Sequence, residues 1–139
     1  MTADTLEISI ILPVPASRLY HDWLDSTAHA AFTGSPADIN AVIGGLFSAW
    51  DGYIQGSTLE MQANRRILQT WRTSDFPEHA PDSVVEVLFE PLQEKGKKST
   101  HLTIRQSRIP AGQAAEYEQG WRNFYFDPML AYYTDQSPK

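Results

Sequence analysis

The stretch GQAAEYEQGWRNFYFDPMLAYY, residues 112–133, decides the fold. Within it Ala114, Tyr117, Trp121, Phe124, Tyr125, Met129 and Tyr132 recur at steps of three and four, the spacing that stacks side chains on one face of an α-helix. A helix with so many large apolar groups in one stripe must lay that stripe against a second layer. Pro128 lies inside the pattern, where it removes one backbone donor, so a bend or a restart from Asp127 is expected. Residues 135–139 read as a frayed end.

The second layer is legible upstream. Val85, Val87 and Phe89 alternate with Glu86 and Glu90, and Leu102 and Ile104 alternate with His101, Thr103 and Arg105, the period of half-buried strands. Residues 94–98, Glu-Lys-Gly-Lys-Lys, join these two runs as a solvated hairpin loop in which Gly96 supplies a positive φ. Gly45 to Ile54, Ser57 to Met61 and Arg65 to Thr73 read as further strands, with a weaker signal from Asp38 to Val42. At the start of the chain Leu6, Ile8, Ile10 and Leu12 alternate until Pro13 and Pro15 stop the strand. Leu19, Tyr20, Trp23 and Leu24 then form a short helical stripe. A second short helix follows to Phe32, with Ser26 or Thr27 as its cap and Gly34, Ser35 and Pro36 at its end.

This order defines an α+β domain: a curved antiparallel sheet of six to seven strands wrapped around a long C-terminal helix, with two short helices after the first strand. At 139 residues a single domain is expected over 1–139, ordered from about residue 4 to 134. A curved sheet gripping one helix leaves room for a cavity between them.

Composition narrows the chemistry. Eleven Lys+Arg against 17 Asp+Glu give a net charge of -6, which repels phosphate backbones and anionic lipid and argues against nucleic-acid and membrane partners. The absence of cysteine excludes disulfides, thiolate nucleophiles and Cys-based metal sites. No window reaches the roughly 18 consecutive apolar residues of a membrane span, and the first residues lack the pattern of a secretory leader. The chain reads as soluble and cytoplasmic.

The polar motifs are sparse. His21, Asp25 and His29 stand at i, i+4 and i+8, a spacing that on one unbroken helix would align three metal ligands. The Asp25-Ser26-Thr27 stretch reads as a helix end that turns the third group elsewhere, so no metal site and no cofactor are expected. His79 sits in a proline-flanked loop, a solvated connection. His101 and Arg105 share a strand face: turned to a cavity they would orient a polar ligand end, turned to solvent they are cross-strand polar groups. Ser57 lacks a nucleophile elbow and a base, and Glu60, Glu86 and Glu90 form no recognisable acid–base pair. No catalytic residue is assigned.

Aromatics dominate instead. Phe47, Trp50, Tyr53, Trp71, Phe89, Trp121, Phe124, Tyr125 and Phe126 suit a core and equally suit an apolar pocket with a few orienting groups. The cavity candidates are Phe47, Trp71, Phe89, His101, Arg105, Trp121 and Tyr125.

Four strings carry a resemblance: Ala31-Phe32-Thr33-Gly34, the run from Gly44 through Trp50-Asp51-Gly52-Tyr53 to Gly56, Ile67-Leu68-Gln69-Thr70-Trp71-Arg72, and Gly120-Trp121-Arg122-Asn123-Phe124-Tyr125-Phe126. Together, in order, they resemble the family of activators of the heat-shock protein 90 ATPase, specifically its C-terminal domain and bacterial single-domain relatives. The resemblance implies the helix-grip fold of the START and birch-pollen-allergen (Bet v 1-like, SRPBCC) superfamily. That superfamily holds lipid carriers, receptors, cyclases and chaperone activators on one scaffold, so fold alone does not select among them.

The leading expectation is a non-enzymatic binding domain of this family, holding an apolar or amphipathic, hydrophobic small molecule between sheet and helix. The alternative is a chaperone-associated stress-response accessory protein acting through its surface. The third is a cyclase- or hydrolase-type enzyme using His101, Arg105 or a buried carboxylate. A monomer and a homodimer joined by a strand edge or sheet face both fit.

Overall fold

The computed structural model describes residues 4–136. Strand β1 (Asp4–Leu12) leads into helices α1 (Ala16–Leu24) and α2 (Ser26–Thr33). Six strands follow: β2 (Asp38–Ile39), β3 (Leu46–Ala49), β4 (Ile54–Gln62), β5 (Arg66–Thr73), β6 (Ser83–Glu94) and β7 (Lys97–Ile109). The C-terminal helix comes in three pieces: α3 (Ala114–Trp121), a π-helical stretch (Arg122–Phe126) and α4 (Asp127–Gln136). Residues 137–139 of the expected frayed end lie outside the described residues, while Asp135 and Gln136 still belong to α4.

The strands form one seven-stranded antiparallel sheet in the order β1-β7-β6-β5-β4-β3-β2. β1 and β2 lie at opposite edges, and from β2 to β7 neighbours in sequence are neighbours in space, as a meander requires, before β7 returns beside β1. Lys95 and Gly96, both at positive φ, make the two-residue turn between β6 and β7, as the charged loop predicts. Leu6, Ile8, Ile67, Trp71, Val85, Val87, Phe89, Leu102 and Ile104 form the buried inner face, covered by α1, α2 and the C-terminal helix.

The outer face carries ions at the intervening positions. Arg105 holds Glu7 of β1 at 2.7 Å and lies 3.7 Å from Glu86 of β6. Arg66 of β5 holds Glu86 at 2.5 Å and Glu60 of β4 at 2.6 Å. Charges thus alternate in sign across five strands, the cross-strand pairing that favours this register over a slipped one.

Three local features depart from the sequence reading. The cap of α2 is Asp25, whose carboxylate accepts from the Ala28 N–H at 2.8 Å; its extended backbone is what separates the two helices. The run Gly45 to Ile54 is not one strand: Trp50, Asp51 and Gly52 all have positive φ and turn the chain between β3 and β4. Gly56 lies inside β4, where a Cβ would stand 1.9 Å from the Thr70 carbonyl oxygen of β5, so a glycine read as punctuation instead permits close strand approach.

The C-terminal helix also departs from a uniform stripe. Pro128 has no N–H and its ring crowds the carbonyl four residues back, and the Asp127 N–H bonds to the Arg122 carbonyl, five residues back. The widened turn adds a residue and shifts the phase. Phe126 and Tyr133 are buried, while Phe124 is exposed and Tyr132 only half-buried.

Candidate functional site

A cavity of about 350 Å³ opens between the β4–β5 end of the sheet and the C-terminal helix. Trp71 on β5 and Trp121 on α3 face each other as stacked rings 5.5 Å apart, with Tyr125 4.8 Å beyond Trp121. Ile54 and Tyr117 complete the buried wall. Trp50 from the β3–β4 turn packs edge-on against Phe124 at 5.2 Å on the outer side. Tyr53, Phe124, Asp75 and Glu116 are exposed residues of the lining and so form its mouth.

Hydrogen bonds to the sheet hold the aromatic wall in place. The Trp121 indole donates to Gln106 Oε1 at 2.9 Å, Gln106 Nε2 donates to Ser83 Oγ at 3.0 Å, and Ser83 Oγ donates to the Trp71 carbonyl at 2.6 Å. This buried chain ties the helix through β7 and β6 back to β5, and every link is satisfied. Trp23 of α1 stacks on the far side of Trp121 at 6.4 Å and donates to Gln69 of β5.

His29 fixes Tyr125. Its Nδ1 lies 2.9 Å from the Trp23 carbonyl and its Nε2 lies 2.8 Å from the Tyr125 hydroxyl. A carbonyl only accepts, so Nδ1 carries the proton and Nε2 accepts from Tyr125. Burial holds the imidazole down to about 4, against the smaller opposing effect of the Trp23 hydrogen bond, so it is neutral at pH 7. Burial likewise pushes the Tyr125 phenol well up, which keeps it a donor.

The mouth has a negative character. The Tyr53 hydroxyl donates to Asp75 Oδ2 at 2.6 Å, and the Tyr117 and Thr73 hydroxyls meet at 2.6 Å. Tyr53 is raised by burial and by its bond to Asp75; Tyr117 is raised by burial, with the Asp75 and Glu116 charges adding. No lysine, arginine or histidine lines the cavity, and neither carboxylate has an ion-pair partner among the described residues. The Trp50 indole N–H is buried without a partner; Gln113 Oε1 is the other such side-chain atom among the described residues.

Of the seven residues proposed from sequence, Trp71, Trp121 and Tyr125 meet in this wall. Phe89 is buried elsewhere, edge-on to Tyr20 at 5.6 Å, and Phe47 borders a separate, more polar depression over β3 to β5. His101 and Arg105 do not reach the cavity. The alternation that turns Leu102, Ile104 and Gln106 inward turns these two outward, where His101 lies 3.5 Å from Glu90 and Arg105 binds Glu7. Glu60 and Glu86 are held by Arg66 on the same outer face, and His79 is an exposed loop residue. Among the described residues no three metal-ligating side chains converge.

Sequence reasoning included Trp50, Tyr53 and Phe124 among the aromatics without placing them at the site. It missed Tyr117, Asp75 and Glu116, which converge from two segments about 40 residues apart, and the structural role of His29.

A curved antiparallel sheet closed by a C-terminal helix over an aromatic cavity defines a helix-grip domain. The chain belongs to the family of activator of Hsp90 ATPase homolog 1-like proteins, whose sequence profile matches residues 13–133. It is 28% identical over 110 residues to the human activator of 90 kDa heat shock protein ATPase homolog 1, covering 79% of this chain and 31% of that protein. The chain spans about a third of the length of the curated relatives it matches. Its fold matches the crystal structure of an HSP90 activator from Plasmodium falciparum with a TM-score of 0.77 and 27% identity, covering 88% of this chain and 91% of that one. The solution structure of an Aha1 dimer from Colwellia psychrerythraea, 11% identical with a TM-score of 0.70 over 94% of this chain and 96% of that one, shares the fold. Among the described residues no helix is long and apolar enough to cross a membrane.

Proposed function

We propose that the chain acts as one non-enzymatic helix-grip domain that takes an amphipathic small molecule between sheet and C-terminal helix. The observation that carries this reading is the aromatic cavity itself, whose volume falls within the range of small-molecule sites and whose wall is fixed by satisfied hydrogen bonds. One detail supports it. Gly120 lines the cavity near the end of α3, where the helix runs on into the π-helical stretch, alanine would favour the helix by about 0.5–1 kcal/mol and its Cβ would meet nothing nearer than Phe124 at 3.8 Å. The helix forgoes that stability and keeps the space open.

Native mass spectrometry of protein purified gently from its own cells tests the reading. The expected result is a small adduct that is lost on denaturation; a bare chain, or one carried only by a protein partner, counts against it.

Family membership and one surface feature favour a second reading, that of a chaperone-associated stress-response accessory protein. Val42, Ile43 and Leu46 are 52%, 67% and 74% exposed on the segment leading into β3, an apolar cluster beside the sheet edge. A heat-shock protein 90 or a second copy of this chain would cover it. Replacing the three residues with serine would then abolish stimulation of the chaperone ATPase, or dimerisation by sedimentation, and leave the cavity intact.

A further inference from the structure

We propose that the ligand of this cavity carries a positive charge: the site is built for the head of an organic ammonium ion. The inference rests on the cavity being a ligand site and names the class of molecule it selects. Three observations lead to it.

The wall is largely aromatic. Trp50, Trp71, Trp121, Tyr117, Tyr125 and Phe124 surround one space, and an aromatic face attracts a cation through the negative side of its quadrupole.

Both formal charges in the lining are negative. Asp75 and Glu116 stand at the mouth and are not neutralised by any lysine, arginine or histidine in the lining. On the sheet Glu7, Glu60 and Glu86 are each held by an arginine, as is Asp82 just before β6. A fatty acid or other anion entering this mouth would meet repulsion with no basic group to receive its head. A quaternary or alkylated ammonium would meet two carboxylates at the entrance and aromatic side chains beyond them, with the net charge of -6 favouring its approach.

The donors in the wall are largely spent. Trp121, Tyr53 and Tyr125 give their hydrogens to Gln106, Asp75 and His29, so these N–H and O–H groups are not free for a ligand. The buried Trp50 indole N–H has no partner.

The test is a matched series of probes with one apolar tail and three heads: octyltrimethylammonium, octanol and octanoate, titrated into the whole protein by calorimetry with tryptophan fluorescence alongside. Octyltrimethylammonium is expected to bind roughly tenfold more tightly than octanol, as cation–π contacts and a nearby carboxylate together warrant, with octanoate weakest. Asp75→Asn and Glu116→Gln keep shape and hydrogen bonding while removing charge, and each should narrow the gap between ammonium and octanol without changing octanol binding. Gly120→Leu fills the cavity and should abolish binding of all three, which separates cavity binding from adsorption to the surface. Equal affinity for ammonium and octanol, both lost in Gly120→Leu, would overturn the charge selectivity and leave the cavity a ligand site. Tightest binding of octanoate would overturn it as well. No binding by any probe would overturn both readings together.

Discussion

His29 binds two groups that would otherwise be buried without partners, the Trp23 carbonyl at the end of α1 and the Tyr125 hydroxyl in the cavity wall. Its cost is proton-linked. The folded protein holds the ring near 4 while an unfolded chain leaves it near 6.5, so between those values the unfolded state takes up a proton that the folded state refuses. Stability from this residue is complete above the unfolded value, falls as pH drops through 6.5, and is gone by about 4, a total on the order of 3 kcal/mol. Urea unfolding at pH 7.5, 6.0 and 4.5 should show this loss in the native protein and a shallower one in His29→Gln. Identical pH slopes in the two proteins would remove His29 as the cause. In the sequence this histidine is visible only as part of a spacing with His21 and Asp25. Its true partner lies 96 residues away, and no local signal connects them.

Two glycines show how elements constrain a side chain that is not there. Gly56 in β4 lies so close to β5 that a methyl group would stand 1.9 Å from the Thr70 oxygen and 2.7 Å from the Phe47 ring. Gly56→Ala should therefore cost about 3 kcal/mol or more, by forcing backbone apart in the middle of a sheet. Gly120→Ala should move the other way by about 0.5–1 kcal/mol, because a helix interior prefers alanine and the space is open. Urea midpoints of the two variants, at unchanged m-values, check both signs; a stabilised Gly56→Ala would mean that the close approach is not tight in solution. Nothing in the letters distinguishes these glycines. The strands with strict alternation, β6 and β7, were legible because their two faces meet different surroundings. The β3–β4 turn was not, since Trp50 adopts a positive φ that bulky residues rarely take. The π-helical stretch was half legible: Pro128 announces a fault in the helix, but not that the fault would bury Phe126 and Tyr133 and leave Phe124 at the cavity mouth.

At the scale of the molecule the question is whether the sheet or the grip on the helix carries the stability. The outer ladder from Glu7 to Glu60 is mostly solvent-exposed, and such pairs contribute about 0–1 kcal/mol each. The C-terminal helix buries Tyr117, Trp121, Tyr125, Phe126, Met129 and Tyr133, and at about 1.5–3 kcal/mol per large apolar side chain their burial amounts to on the order of 10 kcal/mol. That is comparable to the whole stability of a typical domain, roughly 5–15 kcal/mol. Removing the helix also strips cover from Trp71 and leaves Gln106 without the Trp121 indole that satisfies it. A chain ending at Gly112 should therefore lose its cooperative urea transition and bind a hydrophobic dye, while the complete chain unfolds in one step followed equally by tryptophan fluorescence and far-ultraviolet circular dichroism. Coincidence of the two signals is expected because Trp23, Trp71 and Trp121 stack in a single cluster that spans α1, β5 and α3. A sigmoidal transition with native-like sheet signal in the shortened chain would place the stability in the sheet itself. The aromatic cavity would then belong to a helix docked on a finished scaffold, free to open around a ligand without unfolding what it covers.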